Sequence, residues 1–168
     1  MYYINCFFVY SFGGFLLETI WALITKSGFK SGFLYGTWTP IYGIGAVIIL
    51  LLSHYFFMNL HMPRWLETII VFFILAIFLT CIELLGGIAI EKTFGTTFWN
   101  YSSNKFSIGK YISLNMTFIW GIISVVFIYI IHPLIDKFIN KIPLPITIIV
   151  GLLFIGDFIF TMINGIKK

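Results

Sequence analysis

The sequence predicts an all-α fold, an integral membrane helical bundle of about five transmembrane helices, and three observations carry that expectation. Apolar residues make up 60% of the 168-residue chain, charged residues only 10%, and mean hydropathy is +1.04, whereas soluble domains run near half apolar and about a quarter charged. Five apolar runs each approach the roughly 20 residues that a membrane helix needs. All five prolines fall in connectors or at run starts, where a missing N–H does least harm.

Taken in order, the first run extends from about Ile4 to Thr25. The opening "MYYINCFFVYSFGG" has neither a basic leader region nor a small-residue cleavage site, so it reads as a retained span. After the connector "KSGFKSGFLYGTWTP" comes the second run, Ile41 to Leu60, and after "HMPRW" the third, Leu66 to Ile90. A long piece from Glu91 to Lys110 precedes the fourth run, Tyr111 to Ile131, and contains "FWNYSSNKFSIGK". Its aromatics suit an interfacial belt. Its Asn, Ser and Lys groups exceed what a belt needs, and Gly95 and Gly109 offer turn points. The segment therefore reads as re-entrant or interfacial. The connector "HPLIDKFINKIPLP" leads to the fifth run, Ile146 to Asn164. Hydrocarbon holds no water to satisfy backbone groups, so each run is expected to be a helix. The whole of 1–168 is expected to form a single transmembrane domain.

Net charge is +4, but the basic residues are scattered over short connectors with no stripe, which excludes a nucleic-acid surface. Their distribution orients the chain instead. Lys26, Lys30, Lys92, Lys105, Lys110, Lys167 and Lys168 fall on one side, against Arg64, Lys137 and Lys141 on the other. The positive-inside bias then predicts an N-terminus outside and a C-terminus inside. Cys6 and Cys81 sit in apolar runs and read as small buried hydrophobes, with no spacing for a metal. No metal and no cofactor are expected.

Acids within spans carry the most information, because a mid-bilayer charge costs a few kcal/mol even on lenient insertion scales. Glu18, Glu83 and Asp157 qualify. At helical periodicity Ser11, Gly14, Glu18, Trp21 and Thr25 share one face, as do Ala76, Thr80, Glu83, Gly87 and Glu91. Ser113, Thr117, Trp120 and Ser124 line up on the fourth helix, and Asp157, Thr161 and Asn164 on the fifth. Such stripes also pack membrane helices without any site, but packing does not require an ionisable group. In the five-span topology all three acids lie in the cytoplasmic half, level with Pro40, Tyr42 and "FWNYSSNKFSIGK". They are expected to face one cytoplasm-facing cavity, with that segment as a candidate cap.

Several motifs in joint order carry a family resemblance. "SGFLYGTWTPIYGIGA", preceded by the Glu18 helix, then "CIELLGGIAIEKTFGTTFWNYS" and "FSIGKYISLNMTFIWG" resemble the small bacterial membrane proteins of the Putative ABC-transporter type IV family, or CmpB-like permeases. By position the resemblance singles out Glu18, Gly32, Phe33, Leu34, Gly36, Pro40, Tyr42, Gly43, Glu83, Glu91, Trp99, Tyr101, Ser102, Gly109, Trp120 and Gly121. The family pattern has Gly-Pro where this chain has Gly36 and Thr37, an Asp at Asn100, and Gly-Arg at Gly109 and Lys110. The resemblance implies a multi-pass protein of the bacterial cytoplasmic membrane. With no P-loop for ATP, it implies an ATPase or other membrane subunit as energy source.

The leading expectation is a transport component whose cavity binds a small solute or lipid headgroup. Candidate ligand-binding residues are Glu18, Tyr42, Glu83, Glu91, Trp99, Asn100, Tyr101, Ser102 and Trp120. The carboxylates would accept from a cationic or hydroxylated group and the aromatics would supply walls. Membrane lipids and further copies of the chain are the other expected partners. A membrane-embedded enzyme with a Glu pair as acid and base is the alternative, although HExxH and GxSxG are absent. An accessory subunit of a larger membrane complex is the third reading.

Overall fold

The computed structural model describes residues 1–26, 32, 34–57 and 61–166. Lys30, Phe33, Leu60, Lys167 and Lys168, which entered the charge count, the family pattern or a predicted span, lie outside the described residues. The described residues are 76% helical with almost no strand. Helix α1 covers Tyr2–Thr25, α2 Pro40–Tyr55, α3 Arg64–Phe94, α4 Leu114–Val126, α5 His132–Ile139 and α6 Leu144–Asn164. A two-stranded antiparallel hairpin, β1 Ser107–Ile108 and β2 Ile112–Ser113, interrupts the segment before α4.

Among the described residues four helical runs are long and apolar enough to cross a membrane: Tyr2–Thr25, Arg64–Phe94, Leu114–Ile139 and Leu144–Asn164. The third of these departs from the sequence expectation, which ended a span at Ile131 and treated His132 to Pro145 as a connector. The helix instead runs through Pro133. Residues Phe127–Ile131 widen to a π-turn, and the His132 N–H donates to Phe127 O, five residues back. Widening the ladder just before Pro133 absorbs the missing N–H and the crowding of its ring, a usual cause of a π-bulge.

Small polar residues share the interior with apolar ones such as Leu34, Val71, Leu75 and Ile139, while large apolar residues also cover the outside. Ser11, Ser113, Ser124 and Thr161 are buried almost completely, while Leu17, Leu23, Phe73, Ile77, Leu152 and Ile163 stand on outer faces. Lipid tails solvate the outward apolar surface, so small polar groups are free to form the helix contacts. Cys6 is buried as expected. Cys81 is not: it lies on the exposed face of α3, because residue 81 falls off the inward stripe of Thr80 and Glu83.

The chain divides into two compact units, 1–47 with 136–168, and 48–135. In the first unit α1 and α6 run side by side. Asn5 and Thr147 form a buried hydrogen-bonded pair at 2.6 Å, Phe7 meets Phe154 edge-on at 5.3 Å, and the Tyr2 hydroxyl donates to Asp136. Residues 34–39 fold into this unit without regular structure. Their backbone is satisfied from both sides: Tyr35 and Gly36 N–H groups donate to Asp157 at 3.2 and 3.0 Å, and Thr39 N–H donates to Ser11 O at 3.0 Å.

That irregular stretch explains the length of α2. Ser11 is the tenth residue of the 24 in α1, so α2 starts near the middle of its neighbour and has only 16 residues. At 1.5 Å per residue this is about 24 Å, short of the roughly 30 Å hydrocarbon core. Non-helical backbone at such depth is tolerated when protein groups satisfy it. The approach of α2 is close: a Cβ at Gly14 would sit 2.4 Å from the Tyr42 ring, and one at Gly43 2.2 Å from Ser11 Oγ.

In the second unit α3 and α4 pack antiparallel. Phe72 meets Phe118 at 5.2 Å and lies over Gly121, and the Thr80 and Thr117 hydroxyl oxygens are 2.9 Å apart. The polar stripe of α3 thus faces the polar stripe of α4.

Candidate functional site

Glu83 is the most enclosed acid on that seam. It is 4% exposed, and its two oxygens have different partners: Oε1 accepts from the Tyr101 hydroxyl at 2.6 Å, Oε2 from the Trp120 indole N–H at 2.8 Å. Both donors are neutral. Among the described residues the one ion pair is Lys110 with Glu91, so no cation pairs with the Glu83 carboxylate. Burying a carboxylate without a cation is costly, and two donated hydrogen bonds offset only part of that cost.

Tyr101 reaches Glu83 because the chain turns back along α3. The helix ends at Phe94, and Gly95, at φ 66°, takes the left-handed conformation that donates its N–H to Glu91 O at 2.9 Å. Glu83 lies about 16 Å back from that end, at 1.5 Å per residue. A loop base closes where Tyr101 N–H donates to Lys110 O at 2.7 Å. Asn100 Oδ1 accepts from the Ser102 N–H at 2.9 Å and hydroxyl at 2.7 Å, a local turn built by the side chain itself. The hairpin then returns to α4, with Asn104 Nδ2 donating to Ser113 Oγ at 3.3 Å.

A second cluster sits nearer the helix end. Glu91 accepts from Lys110 Nζ at 2.5 Å and the Tyr111 hydroxyl at 2.7 Å. Burial and the Glu91 carboxylate push the Tyr111 hydroxyl up to about 12, so it stays a donor at neutral pH. Its ring fills the space over Gly87, where a Cβ would come within 2.5 Å, and Trp99 meets it edge-on at 6.2 Å. The Trp99 indole N–H is buried without a hydrogen-bond partner among the described residues.

The sequence-predicted residues therefore divide. Glu83, Tyr101 and Trp120 come together around one carboxylate. Glu91, Trp99 and Tyr111 form a neighbouring interfacial cluster, and Glu83 and Glu91 are two helical turns, about 12 Å, apart on α3. They do not form a carboxylate pair. Asn100 and Ser102 are exposed and engage each other rather than Glu83. In the first unit Glu18 is hydrogen-bonded by the Tyr42 side chain and the Gly32 backbone. Asp157 caps the backbone of residues 35 and 36, a structural duty that leaves both its oxygens occupied.

Sequence reading missed three polar contacts: Asn5 with Thr147, Tyr2 with Asp136, and Arg64 over the Tyr129 ring at 5.3 Å. Asn5 and Thr147 carried a signal, since both are polar residues within apolar runs. The other two join residues at run ends, where polar side chains need no partner and so give no warning. Among the described residues no group of three or more His, Cys, Asp or Glu could hold a metal ion.

A family model described as Putative ABC-transporter type IV matches residues 5–165, nearly the whole chain. No curated protein and no solved structure matches.

Proposed function

The chain belongs to the Putative ABC-transporter type IV family, and from that membership we propose that it is the membrane-embedded component of a transport system, with Glu83 as the residue that takes the polar end of the cargo. The observation that carries this reading is the partner set of Glu83. A buried carboxylate held by one phenol and one indole, with no resident cation, is poised to exchange Tyr101 for a stronger donor. An ammonium or hydroxyl group of a small solute or lipid headgroup meets that need. The Tyr101 and Trp120 rings would wall the incoming group and add cation–π attraction if it is charged.

Tyr101 belongs to a loop and Trp120 to a helix, so the two donors are unequal. The helix fixes Trp120, whereas Tyr101 departs with residues 98–110 when the cargo enters. Glu18 with Tyr42 is read as a second polar contact of the same type. The charge distribution favours an inside location for the Glu83 end of α3, an N-terminus outside and a C-terminus inside. With no P-loop in the sequence, an ATPase subunit would supply the energy.

The test is native mass spectrometry of the protein extracted in mild detergent, comparing the wild type with Glu83→Gln. An adduct of small solute or lipid present on the wild type and lost from a folded Glu83→Gln supports the reading. Identical adducts on both remove Glu83 from the site.

A further inference from the structure

The second unit carries a groove that has no part in the Glu83 site. It has a volume of about 330 Å³ and is walled by Thr68, Ile69, Phe72 and Phe73 of α3 with Ile122, Val125 and Val126 of α4. Its surface is apolar throughout. Phe73, Ile69 and Ile122 are exposed, so the groove opens toward the lipid rather than into the protein. An apolar trough alone would hold any lipid tail.

What distinguishes this one is the residue at its mouth. Arg64 is the sole arginine in the sequence and begins α3 one turn before Thr68. Its guanidinium lies 5.3 Å from the centre of the Tyr129 ring, a seat that orients the fork without using its in-plane N–H groups. Glu67, one turn away, is turned toward the Tyr129 hydroxyl, which lies 3.4 Å from it. No carboxylate pairs with Arg64 among the described residues. Trp65 beside it is exposed, as a belt residue at headgroup depth would be.

We propose that this groove is a glycerophospholipid site, with one acyl chain lying between α3 and α4 and the lipid phosphate held by the Arg64 guanidinium. One molecule satisfies both halves. A planar fork binds phosphate through two parallel hydrogen bonds, and the chain attached to that phosphate starts about one helical turn above the groove. A water-soluble anion would gain nothing from the apolar walls, and a neutral lipid nothing from Arg64. Glu67 bears the same sign of charge as the phosphate, and its contact with Tyr129 keeps it out of the guanidinium's plane of donors. Arg64 lies 19 residues before Glu83 on α3, about 28 Å along the axis, so the two sites are well separated along the helix.

The experiment is lipid titration by native mass spectrometry in mild detergent, using dioleoyl phosphatidylglycerol and, as the chain-matched neutral probe, dioleoylglycerol. Arg64→Ala is expected to weaken the first phosphatidylglycerol bound by about tenfold and to leave dioleoylglycerol unchanged. Arg64→Lys retains charge but not the fork and should fall between. Ile122→Trp, which fills the groove from its exposed wall, should weaken both lipids. Retained helicity by circular dichroism qualifies each variant. Phosphatidylglycerol binding that ignores Arg64→Ala, or that ignores Ile122→Trp, overturns the proposal.

Discussion

The Tyr101 hydroxyl and Glu83 Oε1 are joined at 2.6 Å across 18 residues of chain, a bond that draws the loop after α3 back along its own helix. Trp120 brings α4 to the other oxygen at 2.8 Å. One carboxylate therefore ties together a helix, the loop that follows it and the next helix.

Removing the hydroxyl alone isolates the loop's share of this arrangement. Tyr101→Phe leaves Glu83 Oε1 buried without its donor, a loss of about 1–3 kcal/mol. Thermal unfolding in detergent should shift downward, and limited proteolysis should cut within residues 98–110 faster than in the wild type. Unchanged melting and unchanged cleavage would mean that the loop is held by other contacts.

The Tyr111 ring occupies the space where Gly87 has no side chain. Gly87→Ala forces a Cβ to 2.5 Å from that ring, and overpacking of this kind costs about 1–3 kcal/mol. Gly13 has no atom within 4 Å of a built Cβ, so Gly13→Ala should be neutral or slightly stabilising as helix propensity improves. Comparing the two melting temperatures separates close packing from propensity.

Asp157 holds two backbone N–H groups of an irregular segment within the first unit. Asp157→Ala strands both donors, the Gly36 one part-buried and the Tyr35 one exposed, and should destabilise by about 1–3 kcal/mol in all, whereas Asp157→Asn keeps one acceptor and should lose less. A cysteine placed at Tyr35 would report the change as faster labelling in the alanine background. Equal labelling rates would show that the segment holds its place without Asp157.

The 16-residue α2 decides whether the termini lie on opposite faces. Five crossings put them on opposite sides and four put them on the same side. Cysteines introduced at Ile4 and at Gly165, probed in intact cells with a membrane-impermeant maleimide, should react at the first and be protected at the second. Labelling of both, or of neither, would mean that α2 turns back without crossing.

Much of this was readable from single residues and their spacing. The stripe Thr80, Glu83, Gly87 and Glu91 follows from the helical period, and so does the stripe Ser113, Thr117 and Trp120; each is a local property of its own helix. Asn100 and Ser102 were grouped with Tyr101 because they are its neighbours in sequence. In the structure they bond each other at the loop surface, since a turn sends adjacent side chains in different directions. Pro133 read as a helix end, yet a π-turn carries the helix past it, and no local pattern distinguishes a bypassed proline from a terminating one.

The sequence by itself determined the solvent, most of the helices and the inward stripe that α3 and α4 share, whereas Trp21, expected on the inward face of α1, is 67% exposed. Apolar excess selects lipid, lipid forces the backbone into helices, and a buried acid must face protein. The tertiary structure decided the partners: which donor meets each Glu83 oxygen, which glycine lies under Tyr111, and how deep α2 begins. Those outcomes depend on where a loop closes and how far a helix slides along its neighbour. Such contacts join residues 18 to 142 positions apart, a distance over which helical periodicity carries no information.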